Sequence, residues 1–482
     1  MKSYITKPKS IRKSEIVEKE FIFASARYNK IKINNKYTFL TKIIKPSKSS
    51  ISLKNRKEYF NYVEIGSINN STGYVEPDYK KSIDISTDSV FHLQKNDILI
   101  STVRTYLGGI GIINKEKNNL VSSKALIVLR NIIGNHDKNY IFGVLRTKYF
   151  IEQTNLILNA SMYPRMDKES LDQLKIPFPT INNHQEPEKI EKLVSIITQN
   201  IINKEEKINE KNKKIDELIE KELKENQKSG NNFKYSYPKI SEIKKESRLD
   251  TGIYEREFKE IDFLIRNYEG GFDFIDENNI KGGNTPKKRI FDIGNLWLTP
   301  TDCKRGILKN KNLIKSESYN LDQDSLVIVN RSNVGETFLF KTEYFNIAHH
   351  NQGMYRVKIN KDKYAYYVFI LCFFNSFIFQ QYINNLSTGS TFKEIRSDEL
   401  SKKAPIPNFP ESKQQEIAKE YYNKIDNNQN LNLDNYLELE RQRNDQLGIF
   451  QLNMEIFTLR EKLEDIIDKI INDQNIELNL NY

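Results

Sequence analysis

A long internal repeat constrains this chain more than any other feature of its sequence. Four landmarks recur in one order, three of them 227 residues apart and the last 230 residues apart. The first landmark is followed in both copies by an arginine and a tyrosine. Self-similarity of this kind predicts one structural unit present twice. The paired landmarks are Ser14-Glu15-Ile16 with Ser241-Glu242-Ile243, Asp97 with Asp324, Tyr140-Ile141-Phe142 with Tyr367-Val368-Phe369, and Ile176-Pro177 with Ile406-Pro407.

The first part of each copy is predicted to mix strands and helices. Short β-rich runs at 96–102, 125–129 and 325–330 are bounded by Gly, Asn and Asp turns. The apolar runs at 139–153 and 366–383 are too long for typical strands and are predicted to be buried helices. The most apolar run of the chain, 364–379, is too short for a comfortable membrane span, so no membrane association is expected.

The second part of each copy is predicted to be helical, with an apolar stripe. Hydrophobic residues recur every seven positions, with others interleaved, which is the pattern of a coiled-coil seam that Lys204 and Lys211 interrupt. Such a stripe needs a partner, and its copy after Gln415 is the predicted one. An Asn- and Asp-rich stretch at 426–435 predicts a break, after which an apolar face resumes at Leu437. The predicted helix-pairing residues are Ile190, Val194, Ile197, Ile201, Ile208, Ile215 and Leu218, with Ile417, Tyr421 and Ile425.

These patterns predict an α+β fold with a pseudo-two-fold internal repeat, in which two mixed α/β domains are separated by helices that pair as an antiparallel coiled coil. A length of 482 residues also favours several domains over one core. The predicted segments are a first mixed domain at 1–183, a first helical region at 184–228, a second mixed domain at 229–412, and a second helical region with a C-terminal extension at 413–482.

Charge and cysteine content narrow the class of partner and the compartment. The formal net charge is +11 and the pI is near 9.1, which favours polyanionic partners such as nucleic acid. The two cysteines, Cys303 and Cys372, are too few for a disulfide framework or a four-ligand zinc site. We therefore expect a reducing, cytoplasmic location.

Catalytic signatures are missing from the sequence. It has no Pro-Pro dipeptide, so it lacks the [DNS]-P-P-[YFW] loop of amino-methylating DNA methyltransferases, and it has no G-x-x-x-x-G-K-[ST] phosphate loop. The next D/E-x-K after Pro77-Asp78 lies far away, at Glu205 and Lys207, which disfavours a metal-dependent nuclease. His349-His350 has no further histidine nearby to complete a metal site. These absences predict a binding protein without a cofactor or metal of its own.

Several loose motifs in a specific order resemble the specificity subunits of type I restriction-modification systems, over nearly the whole chain. In that family two target-recognition domains alternate with two helical regions. The first copy has Ser161-Met162-Tyr163-Pro164-Arg165, which is similar to a variant found beside some N6-adenine methylases, so a related multisubunit system stays open. The second copy has Gly282-Gly283-Asn284-Thr285-Pro286, Trp297-Leu298-Thr299, Asp324 to Gly335, Gly389-Ser390-Thr391, Pro405-Ile406-Pro407 and Gln414-Gln415-Glu416-Ile417.

The resemblance implies a non-catalytic subunit that reads double-stranded DNA on behalf of its partners. The implied partners are an adenine-specific DNA methyltransferase that uses S-adenosylmethionine, and a restriction subunit that uses ATP and Mg²⁺. Two recognition domains held apart by stiff helices would read two half-sites. Because the two copies differ in sequence, the target would be bipartite and asymmetric.

Candidate DNA contacts are mainly basic residues in turns, because Arg reads guanine and both Lys and Arg neutralise phosphates. Two other classes of function stay open. A coiled-coil scaffold that binds protein predicts no salt-dependent affinity for DNA, and a nuclease with an unrecognised active site predicts metal-dependent cleavage by the chain alone. The DNA-binding candidates are Arg104, Arg165, Lys287, Lys288, Arg289, Lys304, Arg305, Arg331 and Ser390.

Overall fold

A computed structural model describes residues 3–18, 28–158, 165–166, 168–183, 186–246, 248–389, 392–425 and 431–480. The chain divides into two compact units, each built from separate segments. Unit 1 consists of Met1–Glu206, Asn427–Asp445 and Met454–Tyr482, and unit 2 consists of Lys207–Asp426 and Gln446–Asn453. The segment boundaries predicted at 183, 228 and 412 stay predictions.

Unit 1 mixes short strands with helices. Its elements, in chain order, are β1 (Ile5–Thr6), α1 (Lys13–Glu18), β2 (Lys30–Ile31), β3 (Tyr37–Phe39), α2 (Leu40–Ile43), β4 (Ile44–Pro46), β5 (Ser50–Ser52), β6 (Tyr59–Val63), β7 (Asp78–Lys81), β8 (Ser89–His92), β9 (Ile98–Ser101), β10 (Ile110–Ile112), β11 (Leu120–Ser122), β12 (Leu126–Ile132), α3 (Lys138–Leu145), α4 (Lys148–Leu158), α5 (Lys168–Asp172), β13 (Lys175–Pro177) and the first part of α6 (Pro187–Glu225).

Unit 2 begins within α6 and has the same character. Its further elements are α7 (Ile240–Glu246), α8 (Arg256–Arg266), β14 (Phe272–Asp273), β15 (Ile280–Gly282), β16 (Arg289–Leu298), β17 (Cys303–Lys304), β18 (Ile307–Leu308), β19 (Leu313–Ser316), β20 (Ser325–Val329), β21 (Thr337–Phe340), α9 (Thr342–Phe345), β22 (Ala348–His350), β23 (Met354–Lys358), α10 (Tyr364–Asn375), α11 (Phe377–Leu386), α12 (Ser397–Lys403), β24 (Ile406–Pro407) and α13 (Glu411–Tyr421). Two last helices follow, α14 (Tyr436–Gln446) and α15 (Ile449–Ile471).

The sheets confirm the predicted repeat. Unit 1 has a four-stranded sheet in the order β10-β9-β12-β4, and unit 2 has β21-β20-β23-β15, so each strand has a counterpart in the same place. In the second sheet of each unit, β6 pairs in parallel with β11 and antiparallel with β7, as β16 does with β22 and β19. The strand pair β6–β7 therefore corresponds to the strand pair β16–β19.

The long apolar runs are buried helices, as predicted, but each is divided in two. The first run forms α3 and α4, and the second forms α10 and α11. Ser376 separates the second pair because its backbone is extended and its hydroxyl accepts from the Phe379 backbone N–H, which caps α11. No single described helix is long and apolar enough to cross a membrane. The two helical segments Lys361–Asn375 and Phe377–Leu386 reach that length and apolar composition only when taken together, and they are bent by 71° relative to each other.

Within unit 1, the first part of α6 packs against α15 in the opposite direction. Ile190, Val194, Ile197 and Ile201 of the predicted stripe are buried. Lys204 contacts Glu455 near the start of α15, whereas Asn183, which precedes α6, donates to the carbonyl groups of Lys469 and Gln474 near its end. The partner of this stripe in unit 1 is thus the resumed C-terminal helix.

Within unit 2, the second part of α6 lies beside α13. Lys211 and Lys214 both pair with Glu420 of α13. The buried face passes from Ile215 to Ile219 and Leu223, in steps of four, while Leu218 is only half-buried. With Asn212, which is also buried, these positions span eleven residue steps in three turns, about 3.7 residues per turn, which is close to the period of a straight α-helix. The strict heptad prediction is therefore wrong at this end.

The three pairing residues predicted after Gln415 have different roles. Ile417 and Tyr421 are buried in α13, and the Tyr421 hydroxyl donates to the Gly306 carbonyl at 2.7 Å, within the mixed domain. Ile425 was predicted to continue this helix, but α13 ends at Tyr421. The helix ends there because the Tyr422 backbone is extended, and the next residue, Asn423, donates its backbone N–H to the Gln451 side chain. Part of the predicted break, 426–430, lies outside the described residues, and α14 begins after it.

A buried polar cluster joins α6, α14 and α15 within unit 1. The fully buried Lys204 ammonium donates to Glu440 at 2.9 Å, Glu455 at 2.6 Å and Asn444 at 2.7 Å. Arg443 pairs with the same two carboxylates. Two cations thus balance two carboxylates in the cluster, which makes their burial tolerable. The lysine that interrupts the apolar stripe in the sequence is the centre of this cluster.

Candidate nucleic-acid interface

An edge strand pair in unit 1, β6 with β7, combines tyrosines and lysines; we call it ribbon 1. Tyr59 of β6 and most of β7 are exposed, whereas Phe60, Tyr62 and Val63 of β6 are buried. Tyr59 pairs with Lys81 across the two strands. The rings of Tyr59 and Tyr79 stack with centroids 4.8 Å apart, and Tyr79 is 70% exposed. The Lys81 ammonium lies 5.5 Å from the Tyr59 ring centroid, and that of Lys80 lies 5.3 Å from the Tyr62 centroid. Cations interleaved with aromatic rings suit binding to phosphates and bases.

The corresponding strand pair in unit 2, β16 with β19, is also exposed; we call it ribbon 2. All six residues from Arg289 to Gly294 are exposed. The Arg289 guanidinium lies 5.3 Å from the Phe291 ring centroid and donates to the Pro286 carbonyl at 2.8 Å. Lys287 and Lys288 lead into this strand and are exposed. Three of the basic residues predicted from the sequence therefore come together at one end of ribbon 2.

Two further basic candidates sit on the β17–β18 hairpin and have different surroundings. Lys304 is exposed on β17. The Arg305 guanidinium instead pairs with Asp216 of α6, and its backbone N–H donates to Glu336. Because its charge is already neutralised, Arg305 serves to attach this hairpin to α6 within unit 2, and it leaves the set of DNA candidates.

The turn after the central strand forms a β-bridge with a residue of opposite charge in the two copies, Arg165 in unit 1 and Glu394 in unit 2. In unit 1, Arg165 forms a β-bridge with Val103, next to the exposed Arg104. In unit 2 the same bridge joins Arg331 to Glu394, and two hydrogen bonds of 2.9 and 3.0 Å link their side chains. The 227-residue offset of the repeat would pair Arg331 with Arg104, but the bridges show that Arg331 corresponds to Val103. Glu394 raises the pKa of Arg331 and offsets its charge; Ser390 lies outside the described residues.

A basic groove of 860 Å³ opens beside this turn in unit 1. Its walls include Thr102 and Met166, which flank the bridge between Val103 and Arg165, and four lysines. One of them, Lys124, has its ammonium 3.7 Å from the Phe91 ring centroid, and partial loss of water there lowers the pKa of Lys124. The lysines are Lys42, Lys45, Lys48 and Lys124.

The arginine and tyrosine that open the second copy are structural. Arg248 donates to the carbonyl groups of Leu386 and Ser387 at the end of α11, where a helix leaves such groups without partners. Asp250 holds the guanidinium at 2.8 Å, and the Tyr254 hydroxyl donates to the Arg248 carbonyl at 3.0 Å. In the second copy this landmark therefore stabilises the fold.

The described residues contain no group of three or more His, Cys, Asp or Glu that could hold a metal ion. His349 and His350 lie on β22, and His350 shares a 2.8 Å hydrogen bond with Asn320. Burial lowers the pKa of His350 to about 4, so its ring is neutral at pH 7.

Sequence reasoning missed the aromatic part of both ribbons. The aromatic residues at 59, 60 and 62 and the Tyr-Lys-Lys run at 79–81 are weak signals on their own. They gain meaning only when β6 and β7 are known to pair in register, which brings Tyr59 and Tyr79 together. In ribbon 2, the missed residues are Ile290, Phe291 and Ile293.

Comparison with known proteins places the chain in a family. Solved structures that it matches at 15% identity include the HsdS subunit from Thermoanaerobacter tengcongensis (90% of this chain and 96% of that chain, TM-score 0.31) and a type I restriction-modification S subunit from M. genitalium (91% and 96%, TM-score 0.40). A third is a chain from a structure of type I R-M complex assembly (90% and 97%, 15% identity, TM-score 0.32). The family model described as the type I restriction modification DNA specificity domain matches twice, at residues 40–212 and 273–446. Since these two matches take up most of the sequence, the chain belongs to the type I restriction-modification DNA specificity family, whose members supply sequence specificity for DNA.

Proposed function

We propose that this chain reads a bipartite, asymmetric DNA site, with one half-site for each unit. The observation that carries the proposal is the pair of corresponding ribbons, each of which exposes cations beside aromatic rings. Ribbon 1 offers Tyr59, Tyr79, Lys80 and Lys81, whereas ribbon 2 offers Arg289 with Phe291 and its aliphatic neighbours. Side chains that differ at corresponding places select different bases, so the half-sites differ.

Within each unit, cations position the protein and the ribbons read bases. Lysines and arginines that contact phosphates bind any sequence and release counterions. A two-stranded ribbon fits the major groove, where each base pair presents a distinct pattern of groups. The basic groove of unit 1, together with Arg104 and Arg165, supplies the phosphate contacts there. In unit 2 this part falls to Lys287, Lys288 and Lys304.

The partners follow from the family. We propose that the chain has no catalytic centre and directs an adenine-specific DNA methyltransferase, which carries S-adenosylmethionine. A separate restriction subunit would supply cleavage driven by ATP with Mg²⁺. Because such a complex would act on host DNA, we propose a cytoplasmic location for the chain.

The deciding experiment is single-molecule sequencing of DNA methylation in the host, with the gene intact, deleted, and restored on a plasmid. The expected result is an N6-methyladenine mark on a split, asymmetric motif that disappears on deletion and returns on restoration. A methylation pattern unchanged in a strain that expresses the protein and an active methyltransferase would contradict the proposal.

Variants of each ribbon then assign the half-sites. Tyr79→Ala with Lys81→Ala in ribbon 1 is expected to relax or abolish one half of the motif, while Arg289→Ala with Phe291→Ala in ribbon 2 affects the other half. Lys192→Met, on an exposed part of α6, is the matched control and leaves both halves intact. Degenerate bases in both halves of the remaining methylated motif, caused by either ribbon variant with the protein still folded, would refute the assignment of one half-site to each unit.

A further inference from the structure

Ribbon 2 exposes three apolar side chains within four residues. Ile290 is 60% exposed, Phe291 is 55% exposed and Ile293 is 48% exposed. Single exposed apolar residues are ordinary, but a cluster at the end of a two-stranded ribbon is unfavourable in water and an invitation to unwanted strand pairing. The cluster is best explained as a contact surface.

The charges around this apolar tip favour a polyanion. Lys315 pairs across the ribbon with Ile290 and is exposed. Together with the three consecutive cations at 287–289, it outnumbers the nearby acidic residues, Asp292 and Glu317. Lys288 lies 3.5 Å from Glu317, but both side chains are more than 70% exposed, so this pair is weak and easily exchanged for a phosphate.

A bulge in β16 shapes the tip. Phe291 and Asn295 both oppose Ile314, so residues 292–294 have no partner on β19. Asp292 and Gly294 adopt positive φ values of 66° and 96°. A Cβ at Gly294 would collide with the Ile314 backbone oxygen, so only glycine fits this close approach. The bulge therefore projects Ile293 in a defined direction, as a base-reading element requires.

The chemistry of the major groove then limits what the tip can read. Base edges there present hydrogen-bond donors and acceptors, and among the ordinary bases the C5-methyl of thymine is the one apolar group. We propose that Ile290, Phe291 and Ile293 read thymine methyl groups, so that the half-site of unit 2 contains thymine beneath the tip. This inference rests on the proposed function in DNA reading and names the base class that unit 2 selects.

Replacing thymine by deoxyuridine isolates the methyl group, because it leaves pairing and every hydrogen-bonding group unchanged. The test uses the complex of this chain with its methyltransferase and a duplex that carries the mapped motif, with each thymine of the half-site replaced in turn. For the wild-type complex, one or two replacements are expected to weaken binding about fourfold, the value for burying one methyl-sized group.

Variants connect the effect to the tip. Phe291→Ala and Ile293→Ala, both at exposed positions, are expected to bind thymine duplexes more weakly than wild type does and to lose the difference between thymine and deoxyuridine. Leu249→Ala is the matched control, because Leu249 is 89% exposed in unit 2 but lies outside ribbon 2. It should keep the wild-type difference.

Three outcomes would overturn the inference without touching the proposed function. The first is that no deoxyuridine replacement weakens specific binding. The second is that the deoxyuridine effect persists unchanged in both tip variants. The third is that 2-aminopurine fluorescence in the duplex rises in a way that depends on Phe291, without any effect of the methyl group. The last would mean that the ring enters the base stack instead. Absence of any sequence-specific binding by the intact complex would refute the proposed function itself.

Discussion

Replacing Lys204 by methionine tests whether the buried polar cluster stabilises unit 1. Methionine preserves most of the aliphatic volume but removes the ammonium that three partners share, so one cation then faces two carboxylates. Removing one partner of a buried ion pair typically costs about 3 to 5 kcal/mol. With a urea m-value of about 3 kcal/mol/M, this lowers the unfolding midpoint by about 1 to 2 M.

The assay is urea unfolding of the purified chain, followed by far-ultraviolet circular dichroism of the helices. Lys192→Met is the matched control on the same helix, because the Lys192 and Asp434 side chains are 47% and 89% exposed. Exposed pairs contribute less than about 1 kcal/mol, so its midpoint should barely move.

The double variant Lys204→Met with Glu440→Gln restores the balance, since Arg443 then faces Glu455 alone and the amide oxygen introduced at position 440 can still accept from Asn200. It is expected to recover more than half of the lost stability. The reasoning is refuted if Lys204→Met destabilises no more than Lys192→Met, or if the double variant is less stable than the single one.

Three further predictions concern charge. Glu394→Gln frees Arg331 for a phosphate, so affinity for nonspecific DNA should rise. The slope of log K, the logarithm of the binding constant, against log salt concentration should steepen by about one unit. Fluorescence anisotropy over a salt series measures this slope, and an unchanged slope would contradict the prediction. Lys81→Ala removes one phosphate contact, so the plot of log K against log salt should flatten by about one unit, and an equal loss of affinity at all salt concentrations would contradict it. Lys80→Ala should change the slope less, because Lys80 already pairs with Glu64 and Asp78. The pKa of His350 is lowered to about 4 by burial, so between pH 6.5 and 4 the unfolded chain binds a proton that the folded chain does not, and stability should fall by about 3 kcal/mol as the pH drops through this window. Unfolding of wild type and His350→Asn across this range tests it, and an equally steep decline in the variant would point to other groups.

Sequence alone predicted the architecture well, because the repeat fixes equivalent strands without any knowledge of contacts. The β-rich runs at 96–102 and 325–330 form β9 and β20, which occupy the same place in their sheets. The stripe on α6 is buried at Ile190, Val194 and Ile201, as its spacing required.

Individual site residues were harder to predict, because their roles depend on neighbours remote in the chain. Arg305 is a basic residue in a turn, which suggested a DNA contact, yet its charge is neutralised by Asp216, which lies 89 residues away along the chain. Arg331 is offset by Glu394, 63 residues away. The tyrosine stack of ribbon 1 likewise exists only through strand register. Periodicity reports which face is buried, but it carries no information about which charge meets which.

The make-up of unit 1 restricts how this gene can exchange parts with its relatives. Unit 1 takes its helices from both ends of the coding sequence, and Lys204 and Glu440 come from opposite sides of the unit 2 segment. A single crossover between positions 204 and 440 would join Lys204 from one parent to residue 440 from another. Hybrids should therefore be viable where both parents keep this lysine and this carboxylate. Two crossovers that replace only the internal segment, Lys207–Asp426, change the half-site specificity of unit 2 and leave the cluster intact.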